Sequence, residues 1–389
     1  MNRNRDLSGL MWLLGSSAVT IVCGWTLQVM AVHQLDAAGY SSFIFALAIG
    51  SIAAILASAL QPVVAATRMK DEYSTFGTPP LVAVMVALPI VVMLLTAPSV
   101  GSTVAGLAGV QLPIHLAIGV FAGRLQARRA YRTLSLAAVL WTIGRILFVL
   151  VGGIFISEET AFLVSLPAAL VLQLALLVFA DRPREPRHVS TAVQTAIPWG
   201  LLLTWCVIAW IVYGDGIMAR VVLKPSQAAD YGIALTLGRQ AMYIAAPLAT
   251  VILPAVLSSG PAARRRLFLA TVAATGIIFL ASGVTLALLP DLTVKVLLLD
   301  PAYGSLTAVR LYALIGTASF STLLSASFLT GAGERMGSTT LVAVAVLAVG
   351  SMMLFVDSPA SLGVVQCVAV SAAALLLLRQ CTGHLWHPV

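Results

Sequence analysis

The chain has 389 residues, 60% hydrophobic and only 9% charged, with a mean hydropathy of +1.01 and a formal net charge of +8. A soluble domain carries about 25% charged residues, so this composition excludes a soluble globular enzyme and points to a polytopic membrane protein. The positive charge does not imply nucleic-acid binding, because it is confined to alternate loops.

Taken in chain order, charge clusters and Pro/Gly punctuation divide the sequence into twelve candidate spans. They are roughly 8–32, 40–63, 79–98, 102–124, 133–155, 160–180, 197–222, 229–256, 267–290, 305–330, 338–356 and 359–380. Crossing a hydrocarbon core of about 30 Å takes about 20 helical residues, and helices satisfy their own backbone in lipid. Strand-like alternation is absent, so the predicted fold is an all-α bundle of about twelve transmembrane helices. The first span follows Arg3 and Arg5 and lacks a small-residue cleavage site, so a retained helix is expected rather than a secretion signal.

Sixteen of the 22 basic residues fall on one side of this arrangement: Arg3, Arg5, Arg68, Lys70, Arg124, Arg128, Arg129, Arg132, Arg182, Arg184, Arg187, Arg264, Arg265, Arg266, Arg335 and Arg379. The opposite loops carry Asp36, Glu158, Glu159, Asp291, Asp300 and Asp357. Positively charged loops stay in the cytoplasm, so both termini are expected there. Contact of the basic loops with anionic membrane lipids is a secondary expectation.

The longest hydrophilic stretch is DRPREPRHVSTAVQ (181–194), which reads as a linker between two halves. The predicted organisation is an N-terminal lobe (1–180, six spans), a cytoplasmic linker (181–196), a C-terminal lobe (197–380, six spans) and a cytoplasmic tail (381–389). A short internal match agrees: AAGY at 37–40 recurs as AADY at 228–231, each time between the first two helices of its half. Parallel repeats of this kind occur in transporters that rock one half against the other.

Four segments carry a family resemblance. They are GLMWLLGSSAVTIVCGWTLQVMAVHQLDAAGYSSFIFALA (9–48), GRLQARRAYRTLSLAAVLWTIGRILFVL (123–150), DGIMARVVLKPSQAADYGIALTLGRQAMYIAAP (215–247) and VKVLLLDPAYGSLTAVRLYAL (294–314). In order and spacing the chain resembles the polysaccharide and O-antigen (Wzx-type) flippases of the multidrug/oligosaccharidyl-lipid/polysaccharide (MOP) exporter superfamily. The resemblance implies two MATE-like six-helix lobes and alternating access. It also implies a bacterial inner-membrane location and a polyprenyl-(pyro)phosphate-linked oligosaccharide as cargo, with polysaccharide polymerase or ligase machinery as neighbours. Twelve spans, and a first helix lacking the arginines that the lipid II flippases place in their cavity, set the chain apart from those proteins.

The charged residues inside spans are the candidate site. A charge at mid-bilayer costs about 2.5–3.5 kcal/mol on insertion scales, so such residues face a bundle interior or a hydrated cavity. Arg145 and Arg239 fall about ten or more residues from either end of their spans, one in each half. Guanidinium stays charged and presents a planar fork suited to phosphate. The expectation is therefore an arginine-lined central cavity that grips a phosphorylated lipid head, with structural inter-helix pairing as the competing role. Arg220 and Arg310 lie nearer the outer boundary; each is a further substrate contact or an interfacial anchor, Arg310 in the company of Tyr303 and Tyr312. Gln28 bonds either sugar or another helix. Asp215 precedes Arg220 by five residues, about 140° around a helix, so it is expected to neutralise an arginine on a different helix or to couple transport to an H⁺ or Na⁺ gradient. His115 is expected at an interface.

No metal-ligand spacing and no GxxxxGK[ST] motif occurs, so no metal or cofactor is expected. The alternatives are a multidrug exporter of the same fold, which would want buried carboxylates for cationic cargo, and a membrane-embedded glycan ligase or glycosyltransferase. The latter needs a catalytic constellation that no outer loop supplies.

Overall fold

The structure, a computed structural model, describes residues 3–69, 91, 94–128, 130–181, 199–239, 260–299, 306–332 and 338–386. The helices are α1 (Arg3–Gln34), α2 (Ala37–Met69), α3 (Ser102–Ala127), α4 (Tyr131–Phe155), α5 (Glu158–Ala180), α6 (Trp199–Val222), α7 (225–239), α8 (Pro261–Leu288), α9 (Pro290–Leu298), α10 (Leu306–Ala332), α11 (Ser338–Phe355) and α12 (Pro359–Trp386), with a further helical stretch at 94–100. No strand occurs among the described residues. Eight of these helices are long and apolar enough to cross a membrane, so the chain is a multi-pass membrane protein. The expected span 79–98, the linker at 182–196, the end of the span 229–256 and the cations Lys70, Arg129, Arg182, Arg184, Arg187 and Arg335 fall wholly or mostly outside the described residues.

One element differs from the sequence reading. Residues 290–298, expected as outer loop after a span ending at 290, form the separate nine-residue helix α9. Pro290 starts it at a position where a missing N–H costs nothing, and Leu299 ends it in the left-handed conformation.

The chain divides into two compact units, Met1–Leu27 with Ala46–Trp205, and Gln28–Phe45 with Cys206–Val389. In the first unit, α3, α4 and α5 share a core of Ile118, Ala122, Leu125, Ala137, Leu170 and Leu177. With no water to exclude, such helices hold together through close packing and small residues. Gly119 shows how close: a Cβ there would lie 2.6 Å from the Ala57 carbonyl oxygen of α2. Gln111 of α3 donates to the Ala46 carbonyl at 3.1 Å. At the far end of α5, Asp181 takes Arg124 and Arg128 at 3.2 Å each, fixing the end of α5 to the end of α3.

In the second unit, Gln366 of α12 donates to the Ile211 carbonyl of α6 at 2.8 Å, and Thr322 of α10 donates to the Val370 carbonyl of α12 at 3.4 Å. The end of α1 and the start of α2 belong to this unit through side-chain bonds. His33 Nε2 donates to the Leu298 carbonyl at 2.9 Å, and Thr236 Oγ1 of α7 lies 3.2 Å from Tyr40 OH.

Both helical hairpins that begin the halves close in the same way. Leu35 N bonds Ala31 O and Tyr40 N bonds Asp36 O; Leu223 N bonds Ala219 O and Ala228 N bonds Lys224 O. The two turns are 188 residues apart (219 − 31). The AAGY/AADY match, whose spacing is 191 (228 − 37), is therefore three residues out of step with the backbone it marks. Three residues are nearly one helical turn, so the mismatch leaves the matched residues on similar faces.

Candidate functional site: a buried carboxylate on the sixth helix

The segment IVYGDG of α6 carries Asp215, whose side chain is 0% exposed. Four donors surround it. Oδ1 accepts from Arg239 Nη2 of α7 and from the Gly216 N–H at 2.9 Å. Oδ2 accepts from Tyr231 OH of α7 at 2.9 Å and from Tyr312 OH of α10. The two hydroxyls lie 3.3 Å apart, and their rings meet edge to face with centroids 5.5 Å apart. An ionised carboxylate is acceptor-only with about four lone-pair sites, so this environment fills it.

Arg239, 3% exposed, is held on its other sides as well. Its Nη2 also donates to the Val212 carbonyl at 2.7 Å, and its Cζ sits 4.3 Å from the Tyr213 ring centroid. That stacking suits a weakly hydrated guanidinium. Its Nε is buried without a hydrogen-bond partner.

Glycine makes the convergence possible. A Cβ at Gly238 would meet Tyr312 Cδ1 at 2.5 Å, so only a bare backbone on α7 lets α10 come close enough for Tyr312 to reach Asp215. A Cβ at Gly232 would meet Ile44 Cγ1 at 2.9 Å and Tyr40 Cε1 at 3.0 Å, which fixes α2 against the same helix. Beside this contact, Thr236 donates to Gln28 Oε1 at 3.4 Å.

The predicted site residues fall as follows. Asp215 and Arg239 are brought together, and Gln28 lies one hydrogen bond from α7. Arg220 is half-buried, with an Nε that has no hydrogen-bond partner, and Arg310 is exposed. Arg145 belongs to the first unit, is 5% exposed, and places its Cζ 5.1 Å from the ring of Trp141, one turn earlier on α4.

Two expectations change. His115 is buried at the middle of α3, not at an interface, because α3 runs from Ser102 to Ala127 and places it halfway. Tyr312 is not an interfacial companion of Arg310; it is fully buried, while Tyr303 lies outside the described residues. Arg310 and Tyr312 are two positions apart, about 200° around a helix, so periodicity alone puts them on opposite faces. Sequence reasoning missed the tyrosines as a set. The available signal was that Tyr231 and Arg239, eight residues apart on α7, share a face.

No protein-family model matches the sequence, and no curated protein matches it. Solved structures do. The eukaryotic MATE transporter AtDTX14 is 15% identical with a TM-score of 0.66, covering 97% of this chain and 96% of its own. An outward-facing multidrug resistance MATE family transporter of the MOP superfamily is 12% identical with a TM-score of 0.59, covering 97% of this chain and 95% of its own. An inward-facing structure of such a transporter is 11% identical with a TM-score of 0.58, covering 97% and 98%. Across nearly its whole length, then, this chain has the all-helical fold of these MATE transporters, a fold seen among them in outward- and inward-facing conformations.

Proposed function

We propose that the protein is a flippase that carries a polyprenyl-(pyro)phosphate-linked oligosaccharide from the inner to the outer leaflet by alternating access. The observation that carries this reading is the sign of the buried charge. Arg145 and Arg239 are buried and Arg220 is half-buried within the spans. Among the described residues, Asp215 is the one buried carboxylate inside a span, since Asp181 lies past the end of α5; Asp230 of α7 is half-buried, like Arg220. Buried guanidinium in excess of carboxylate suits a phosphorylated headgroup and opposes a cationic one.

In this reading Arg239 is a headgroup-binding residue, and Asp215 neutralises it between cargoes; an arriving phosphate competes with the carboxylate for the same fork. Arg220, in the same unit, is a further phosphate contact. Any coupling to an H⁺ or Na⁺ gradient acts through Asp215, because neutralising that carboxylate frees Arg239. The basic-loop asymmetry supports a bacterial cytoplasmic-membrane setting with both termini inside, where polymerase or ligase enzymes take up the exported glycan.

The second reading is multidrug export, which the likeness to multidrug resistance MATE transporters favours. Against it, the carboxylate a cationic drug would need is already bound by a guanidinium and two hydroxyls.

Reconstituted proteoliposomes distinguish the two. Protein supplied with a fluorescent polyprenyl-pyrophosphate glycan and, separately, with a cationic dye is expected to translocate the lipid and not the dye. Arg239→Lys keeps the charge but loses the fork, and should slow lipid translocation about tenfold or more. Export of the dye with no movement of the lipid would remove the proposal.

A further inference from the structure

The short helix α9 has three faces. Pro290, Thr293, Val294 and Leu298 are buried against the protein. Asp291 and Lys295, one turn apart, form an exposed ion pair of 3.2 Å. The third sector carries Leu289, Leu292, Val296 and Leu299, of which the last three are 54%, 59% and 58% exposed. At 100° per residue Leu292 and Val296 lie about 40° apart, with the charged pair between them and the buried face. Leu289 and Leu299 flank the helix at its two ends, and Leu297, 40% exposed, lies between Thr293 and Val294 on the wheel.

Leu299 adds a separate observation. It is the one non-glycine residue with positive φ among those described, φ 55° and ψ 45°. Helices that end this way ordinarily place glycine there, because a side chain is disfavoured. Here a leucine takes that position and turns its side chain outward.

We infer that α9 lies in the plane of the membrane at the headgroup–acyl boundary. Its Leu289–Leu292–Val296–Leu299 sector dips into the acyl chains, and its Asp291–Lys295 pair sits among headgroups. Lipid is the occupant because α9 directly follows α8, whose last turns also expose large apolar side chains, Ile277, Leu280, Val284 and Leu288. Nine residues also span about 13 Å, less than half the hydrocarbon thickness, so α9 cannot cross. Segregated apolar and charged faces are the signature of an interfacial helix.

Docking is specific. The imidazole of His33, in the last turn of α1, donates to the Leu298 carbonyl at 2.9 Å and caps one of the otherwise open carbonyls at the end of α9. That contact fixes the end of α9 to the last turn of α1, beside the α1–α2 turn.

The test uses protein in lipid nanodiscs with the native cysteines replaced and one new cysteine, Leu292→Cys, Val296→Cys, Asp291→Cys or Lys295→Cys, labelled with an environment-sensitive nitrobenzoxadiazole dye. The expected result is blue-shifted emission at 292 and 296, quenched at least twofold more by lipids spin-labelled near the headgroup than at 291 and 295. Wild-type protein provides a second measurement: a phospholipid with a photoreactive group high on its acyl chain should leave adducts on 289–299. Water-like emission at all four positions, or adducts on α8 with none on 289–299, overturns the inference. So does a blue shift at 292 and 296 that spin-labelled lipid fails to quench, because a second copy of the chain would then be the cover.

Discussion

The two hairpins, α1–α2 and α6–α7, close through the same backbone bonds but differ in what they bury. In the register of the turns, Asp215 corresponds to Leu27, Tyr231 to Phe43 and Arg239 to Ser51. Leu27 and Phe43 are fully buried apolar side chains, so this hairpin geometry does not require a buried charge. Replacing a buried ion pair by apolar residues is often neutral or stabilising, whereas removing one partner costs about 3–5 kcal/mol. The second hairpin therefore carries a liability that the first avoids, which is the pattern expected of a site retained for its chemistry.

The largest test of that contrast breaks the pair. Asp215→Asn should lower stability by about 3–5 kcal/mol, read as a drop in Tm in detergent. Giving the second hairpin the first one's residues, Asp215→Leu with Arg239→Ser, should recover most of that loss while abolishing transport. If the double variant is no more stable than the single one, the uncompensated guanidinium is not what destabilises Asp215→Asn.

A smaller effect is expected where α10 meets the pair. Tyr312→Phe removes a hydrogen bond to a charged group, about 1.5–3 kcal/mol. Gly238→Ala forces Tyr312 aside, about 1–3 kcal/mol by overpacking. Both should reduce transport through the same hydroxyl, so combining them should cost less than the sum of the two. Full additivity in Tm and transport would separate the glycine from the tyrosine.

The smallest effects concern the turns. Asp36 accepts from Gly39 N at 2.7 Å, whereas Gln227 accepts from Lys224 N at 3.3 Å. Each hairpin has one half of a capping box. Asp36→Ala should cost about 0.5–2 kcal/mol, and Gln227→Ala less, because its bond is longer and exposed. Equal losses of Tm would show that the two half-caps are equivalent.

Much of the fold was legible because lipid enforces it. Apolar runs of about 20 residues become helices since no other open structure satisfies the backbone, and the breaks near 35–36 and 223–224 were visible as polar turns. The α9 helix was not, because PDLTVKVLL is apolar enough to merge with its neighbours and too short for periodicity to separate. Asp215 and Arg239 stood out for the same reason as the spans, since charge in such runs is conspicuous. Tyr231 and Tyr312 did not, because tyrosine is common at membrane interfaces and nothing local distinguishes a buried hydroxyl from an interfacial one.

By itself, the sequence determined that this chain is a membrane-spanning helical protein and that a few ionised groups must be sheltered within it. Hydrophobicity is a property of each residue summed along the chain, so that much needs no partner. Only the tertiary structure decided that Asp215 of α6 meets Arg239 of α7 and Tyr312 of α10. Pairing depends on where three helices cross and how closely a glycine lets two of them approach, and neither is written in any one segment.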